Sequence, residues 1–159
     1  MSQLVLRPAV LADADALSSL AHLVAPYFTR HPDGQGAELF FASITPDAMA
    51  ERLSSRQFRY WVAIAETGKI IGAIALRDNS HLYHLFVDPD QHRQGCGKQL
   101  WQHLKDAAIA AGNQGEFTVN SSIYAQAMYE KFGFVASAEK QEAHGLVFIP
   151  MVLKLGSTS

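Results

Sequence analysis

The chain has 159 residues, 48% of them hydrophobic, enough for one domain with a sizeable core and too few for a second independent one. Lys and Arg number 13 against 15 Asp and Glu, a net charge of -2 that gives a nucleic-acid partner no electrostatic support. The single cysteine, Cys96, excludes an internal disulfide. No run approaches the length of a membrane span, and MSQLVLRPAV has neither a charged leader nor an apolar signal core, so a cytoplasmic protein without a membrane partner is expected. One domain over 1–159 follows, with 156–159 as a frayed tail.

Gln3 to Arg7 is a short β-like run that Pro8 ends or holds extended. Leu17, Leu20, Ala21 and Val24 then recur at helical spacing behind Asp13 and Asp15, and Pro26 closes this first helix. The segment YFTRHPDGQGAELFFAS mixes aromatics with turn residues and reads as a mobile connection or a broken helix. Thr45-Pro46-Asp47 supplies an N-cap, a proline at the first helical position and an acid in the first turn, so a second helix runs to about Ser54. Tyr60 to Glu66 and Lys69 to Leu76 are strands joined at Thr67-Gly68, and His81 to Val87 is the next strand. A helix begins near Gly97 with Leu100, Leu104, Ala107, Ala108 and Ala111 on one stripe, and Gly112-Asn113 stops it. Phe117 to Val119 is a short strand, and Ser121 or Ser122 caps a helix running through Tyr129 to Gly133. Phe134 opens another strand, and Leu146 to Leu155 is the last, with Pro150 implying an edge or a bulge. This order makes a mixed α/β domain with an antiparallel meander in its middle.

The fourth strand feeds LFVDPDQHRQGCGK, Leu85 to Lys98, a glycine-punctuated loop that opens a helix. The first N–H groups of a helix lack intrahelical partners and share the positive end of the dipole, so an anion binds there readily. Gly95 and Gly97 clear side chains from the backbone, and Arg93 and Lys98 bracket them with charge. A Walker A loop fails on His92 and Gln99, and a dinucleotide fingerprint fails on Leu100.

Three pieces together resemble the GNAT superfamily of acetyl-CoA-dependent N-acetyltransferases. They are the strand LFV with Asp88-Pro89, the loop HRQGCG, which is similar to the family pattern Gln/Arg-x-x-Gly-x-Gly/Ala, and VNSSIYAQAMYEKFGF. In the last, Ala125, Tyr129, Gly133 and Phe134 match the second cofactor motif, while His92 departs from the usual Gln or Arg. The resemblance implies a mostly antiparallel central sheet of about seven strands flanked by four helices, with the fourth and fifth strands splayed. It also implies acetyl-CoA as donor, with coenzyme A as product and no metal. The pantetheine arm would pair with the backbone of Leu85, Phe86 and Val87, the Val87 N–H being placed for the oxyanion. The pyrophosphate would sit over His92, Arg93, Gln94, Gly95, Cys96, Gly97 and Lys98, and Asn120, Ser122 and Ala125 would line the other wall.

Tyr129 is the expected donor to the leaving thiol: a phenol of pKa about 10 hydrogen-bonds a thiolate more readily than it surrenders its proton to one. The strand alternation puts His81, Tyr83, Leu85 and Val87 on one face and Leu82, His84 and Phe86 on the other. Several members of the family place a Glu or His four residues before the position of Leu85 on that face, so the resemblance implies His81 as the base, acting through water, with Tyr83 ordering that water. In the family the link between the first two helices covers the acceptor, which points to Tyr27 and Phe28, with Phe40 and Phe41 beside them. Cys96 reads as packing, and His22, His31, His92, His103 and His144 show no metal-ligand spacing. The expected reaction moves acetyl to a primary amine by direct attack, on a small molecule rather than a protein N-terminus or lysine; a non-catalytic CoA-binding module is the alternative. A homodimer paired or swapped through the last strand is left open.

Overall fold

The computed structural model describes residues 4–31, 33–91 and 95–155. The alternating apolar runs form one sheet in the order β1 (Val5–Pro8), β2 (Phe58–Ile64), β3 (Ile70–Arg77), β4 (His81–Val87), β5 (Glu116–Ser122), β8 (Leu146–Lys154) and β6 (Val135–Ala136), while β7 (Gln141–Ala143) also pairs with β8. Every pair is antiparallel except β4 with β5. The helices are α1 (Ala14–Val24), α2 (Glu38–Ser43), α3 (Pro46–Leu53), α4 (Cys96–Ala110) and α5 (Gln126–Phe132).

The period-2 alternation of the strands feeds two cores, one on each side of the sheet. Tyr60, Val62, Ala73, Ala75 and Phe86 meet Leu17, Leu20, Ala21 and Met49 from α1 and α3. Trp61, Ala63, Ile74, Leu76 and Leu82 meet Leu100, Trp101, Leu104 and Ala108 of α4 together with Tyr129 and Phe134. The expected N-cap of α3 is present, with Thr45 Oγ1 accepting from Ala48 N at 3.1 Å.

α2 falls in the segment read as a mobile connection or a broken helix, and β7 goes beyond the sequence reading. The six-residue α2 buries no residue fully, so it leaves no periodic stripe, and β7 is a run of three exposed residues without apolar alternation. β8 lies between β5 and the β6/β7 side, so the last strand is interior to the sheet. Pro150 accordingly sits neither at an edge nor at a register shift. Its carbonyl accepts from Ser137 N at 2.9 Å in the break between β6 and β7, so its missing N–H faces that break.

At the N-terminal corner Arg7 grips Asp13 with two bonds of 2.8 and 3.0 Å, and Asp13 also accepts from Val10 N at 2.7 Å. Asp13 is buried, and the hydrogen bond from Arg7 holds its carboxyl below the usual range. Asp13→Ala should cost about 1–2 kcal/mol at neutral pH, read as a lowered denaturation midpoint. Because the folded pKa is depressed, this contribution is present above the unfolded pKa near 4 and is lost as pH falls through the folded value. The difference between wild type and variant should therefore shrink in acid.

Candidate active site

The parallel pairing of β4 with β5 is two residues long, His81 with Thr118 and Leu82 with Val119. Beyond it the strands part, so a gap opens between Tyr83–Val87 and Asn120–Ser122. Its closed end is tied by side chains. Asn113 Nδ2 donates to Asn79 O and Glu116 O, and Asn79 Nδ2 reaches Ala108 O at the end of α4.

Backbone parity decides which groups face the gap. Asp88 N donates to Ile71 O on the β3 side, so successive alternation turns the amides of Leu85 and Val87 toward β5. Phe86 is turned toward β3 instead, against Ala73, which removes it from the expected pantetheine contacts; its ring packs into the α1–α3 core. On the other wall Thr118 N donates to Ser80 O, so Asn120 and Ser122 share its orientation toward β4. Ser122 Oγ also accepts from Ala125 N at 3.1 Å, closing the turn into α5. Ala125 is the N-cap of α5 rather than a residue on its face, and its carbonyl accepts from Tyr129 N.

The open end of the gap meets the N-terminus of α4. Gly95 is its N-cap at φ 78°, a left-handed conformation that favours glycine, and among the described residues neither a capping side chain nor an acid occupies the first turn. A Cβ at Gly95 would meet nothing within 4 Å, while one at Gly97 would lie 3.2 Å from Met128 Sδ and 3.9 Å from Val87 Cγ2. The first turn of α4 thus lies against the end of β4 and against α5. Gly72 of β3 sets its height: a Cβ there would come 2.7 Å from Cys96 Sγ and 3.0 Å from Leu100 Cδ1. Cys96 is sealed against the sheet, and burial pushes its thiol up to about 11. Lys98 is exposed beside this turn. His92, Arg93 and Gln94 lie outside the described residues. An uncapped helix end with an open glycine at its mouth, facing a strand gap, fits a pyrophosphate and an extended arm.

Tyr129 is 4% exposed, its ring edge-on to Phe132 and Phe134 at 6.0 and 5.6 Å. Its hydroxyl has no hydrogen-bond partner among the described residues, and burial holds its pKa above the usual tyrosine range. The group stays protonated and can donate.

A register shift at Ala75/Leu76 corrects the alternation expected for β4. Leu76 pairs with Leu82 but Ala75 pairs with His84, so Tyr83 is the extra residue of a bulge. Leu82, Leu85 and Val87 face the α4–α5 core, whereas Tyr83, His84 and Phe86 pack on the α1–α3 side. His81, next to Leu82, therefore does not share the face of Leu85. Its Nδ1 lies 2.7 Å from Thr118 Oγ1, and burial, then Arg77, push its pKa down to about 4. A base that weak is poorly suited to take a proton from an ammonium. His81→Ala should retain the acidic limb of a pH–rate profile near neutrality. By linkage, the lowered folded pKa means that stability is lost as pH falls from about 6.5 toward 4, because the unfolded chain binds the proton first.

The link after α1 crosses to the β7–β8 hairpin. Val147 N donates to Phe28 O at 3.3 Å, Arg30 N donates to Gly145 O at 2.8 Å, and Arg30 is ion-paired with Glu142. Phe28 lies edge-on to Phe86 at 5.7 Å and Tyr27 against Tyr124 at 4.6 Å, so both come to the mouth region. Tyr83 instead packs against Phe58, with Arg52 and Arg77 each 5.5 Å from its ring. Sequence reasoning passed over Arg30, Glu142 and Tyr124, whose roles come from contacts across long stretches of chain. Among the described residues no group of three His, Cys, Asp or Glu side chains converges as a metal site, and no helix is long and apolar enough to cross a membrane.

Comparison with known proteins identifies the domain and the fold. The acetyltransferase (GNAT) domain family matches residues 28–155. A GCN5-related N-acetyltransferase from Rhodopseudomonas palustris is 26% identical, with TM-score 0.78 over 98% of each chain. The PaiA N-acetyltransferase of Thermoplasma acidophilum, solved with coenzyme A, is 17% identical, with TM-score 0.77 over 96% of this chain and 99% of that one. An aminoglycoside 6'-N-acetyltransferase, also complexed with coenzyme A, shares the fold at 13% identity and TM-score 0.68, over 93% and 95% of the two chains. No curated protein matches by sequence. With its split sheet, uncapped helix and matching domain, the chain belongs to the GNAT family of acetyltransferases.

Proposed function

We propose that the protein transfers an acetyl group from acetyl-CoA to the primary amine of a small molecule by direct attack. The observation that carries this is the gap between β4 and β5, closed at Leu82–Val119 and opening onto the uncapped N-terminus of α4. Acetyl-CoA would bring an already activated thioester, so no acyl-enzyme is required. The amides of Gly95, Cys96, Gly97 and Lys98 hold the pyrophosphate, and His92, Arg93 and Gln94 complete that loop. Leu85 and Val87 present backbone groups from one wall, as an edge strand does to an added one, and Asn120 and Ser122 face them. The Val87 N–H polarises the acetyl carbonyl. Tyr129 Oη, protonated by virtue of its burial, donates to the departing sulfur. The link carrying Tyr27 and Phe28 covers the acceptor side and excludes water.

The test is release of free thiol from acetyl-CoA across a panel of amines, amino acids, polyamines, aminoglycosides and protein N-termini. Release with small amines is expected. Tight coenzyme A binding without release for any acceptor would instead mark a binding module.

A further inference from the structure

The α1–α3 side of the sheet holds a polar row that acetyl transfer, as derived above, does not use. Arg52 Nε donates to Tyr60 Oη at 2.9 Å, and Tyr60 Oη lies 3.0 Å from His84 Nδ1. The proton positions follow from the chemistry of the donors. Arginine can only donate, so the Tyr60 oxygen accepts from it, and among the described residues His84 Nδ1 is the acceptor within reach of the Tyr60 hydrogen. A nitrogen that accepts carries no proton, so the neutral ring carries its proton on Nε2.

Charge and packing keep the ring in that state. Burial, then Arg52, hold the His84 pKa well below the usual histidine value. The groups against the ring are Tyr60, Tyr83 and Phe86, with centroids at 6.0, 4.3 and 4.5 Å, and Arg52 stands behind them. No carboxylate is among these contacts.

Direction comes from the sheet. Tyr60, Ala75 and His84 occupy one cross-strand row over β2, β3 and β4. Nδ1 is spent back toward β2, so Nε2 lies on the side of the ring away from β2, on β4, the strand that lines the gap. No hydrogen bond within the described residues engages Nε2.

We propose that His84 determines acceptor specificity: its Nε2–H, set by the Arg52–Tyr60 relay, donates to an oxygen of the acceptor, so that preferred substrates are amines bearing a carboxylate near the reacting nitrogen. This rests on the acetyl-transfer reading. A row that carries one half-buried cation and ends in a donor suits an anionic oxygen and disfavours a second ammonium.

The experiment compares acceptors matched in carbon skeleton, phenylalanine against phenethylamine and methionine against its decarboxylated amine, with a linear diamine as third arm. Wild type should favour the carboxylated member by roughly tenfold or more in kcat/KM, chiefly through KM. Tyr60→Phe, which deletes one hydroxyl, should collapse that ratio, and His84→Gln, which keeps an N–H donor at the position of Nε2, should retain part of it. Independently, imidazole nitrogen spectra of the free protein should show the Nε2–H tautomer from about pH 5 to 8, and a mixture in Tyr60→Phe. An Nδ1–H tautomer in wild type, or an equal ratio in wild type and Tyr60→Phe, overturns the proposal. Turnover with an unchanged ratio sinks this inference alone, whereas absence of thiol release with every amine sinks acetyl transfer and the inference with it.

Discussion

Tyr129→Phe is expected to lower kcat by about a hundredfold or more while leaving KM for acetyl-CoA and the unfolding midpoint nearly unchanged. The separation of the two effects comes from how the side chain is held. Its ring fills the core against Phe132 and Phe134, and phenylalanine would keep those contacts. Its hydroxyl bonds to nothing among the described residues, so deleting it removes no fold interaction. What is lost is the donor proposed for the departing sulfur. Because burial raises the tyrosine pKa, the wild-type rate should show no alkaline limb from this group within the ordinary tyrosine range. Undiminished turnover in the variant would refute the assignment.

Gly72→Ala should destabilise the protein by about 1–3 kcal/mol and weaken coenzyme A binding at the same time. One added methyl would lie 2.7 Å from Cys96 Sγ and 3.0 Å from Leu100 Cδ1, both fully buried under α4. The helix must then lift at its N-terminus, the part proposed to hold the pyrophosphate. Cys96→Ala removes the closer atom, so the double variant should recover much of both losses, and the coupling in a double-mutant cycle measures the contact directly. Additive effects on the denaturation midpoint would show that the two positions do not meet. Recovery of stability without recovery of affinity would separate the packing from the proposed grip.

Much of the fold was legible from local signals. The stripe Leu17, Leu20, Ala21 and Val24, the cap at Thr45-Pro46 and the alternation of β2 and β3 each depend on neighbours within a few residues, where helix and strand periods act. Where such a signal is missing the reading fell short. β7 buries too little to pattern a sequence, and Pro150 misled because a proline reports only its missing N–H, not what lies on that side. The site divides in the same way. The glycine loop and the Ala125–Tyr129 spacing are local and were readable. The bulge at Tyr83, which moves His81 off the face of Leu85 and brings His84 against Tyr60, is not.

The sequence by itself determined the family and pointed to a glycine loop and to Tyr129 as the donor side, because a helix N-terminus and its glycines bind an anion through backbone that short motifs encode. Only the tertiary structure decided which histidine is buried against Tyr60 on the α1–α3 side of the sheet. That depends on one skipped residue in the β3–β4 register and on Arg52, thirty-two positions away from His84 in the chain. A strand's period of two reverses its faces at a single bulge, and no local pattern records where that bulge falls.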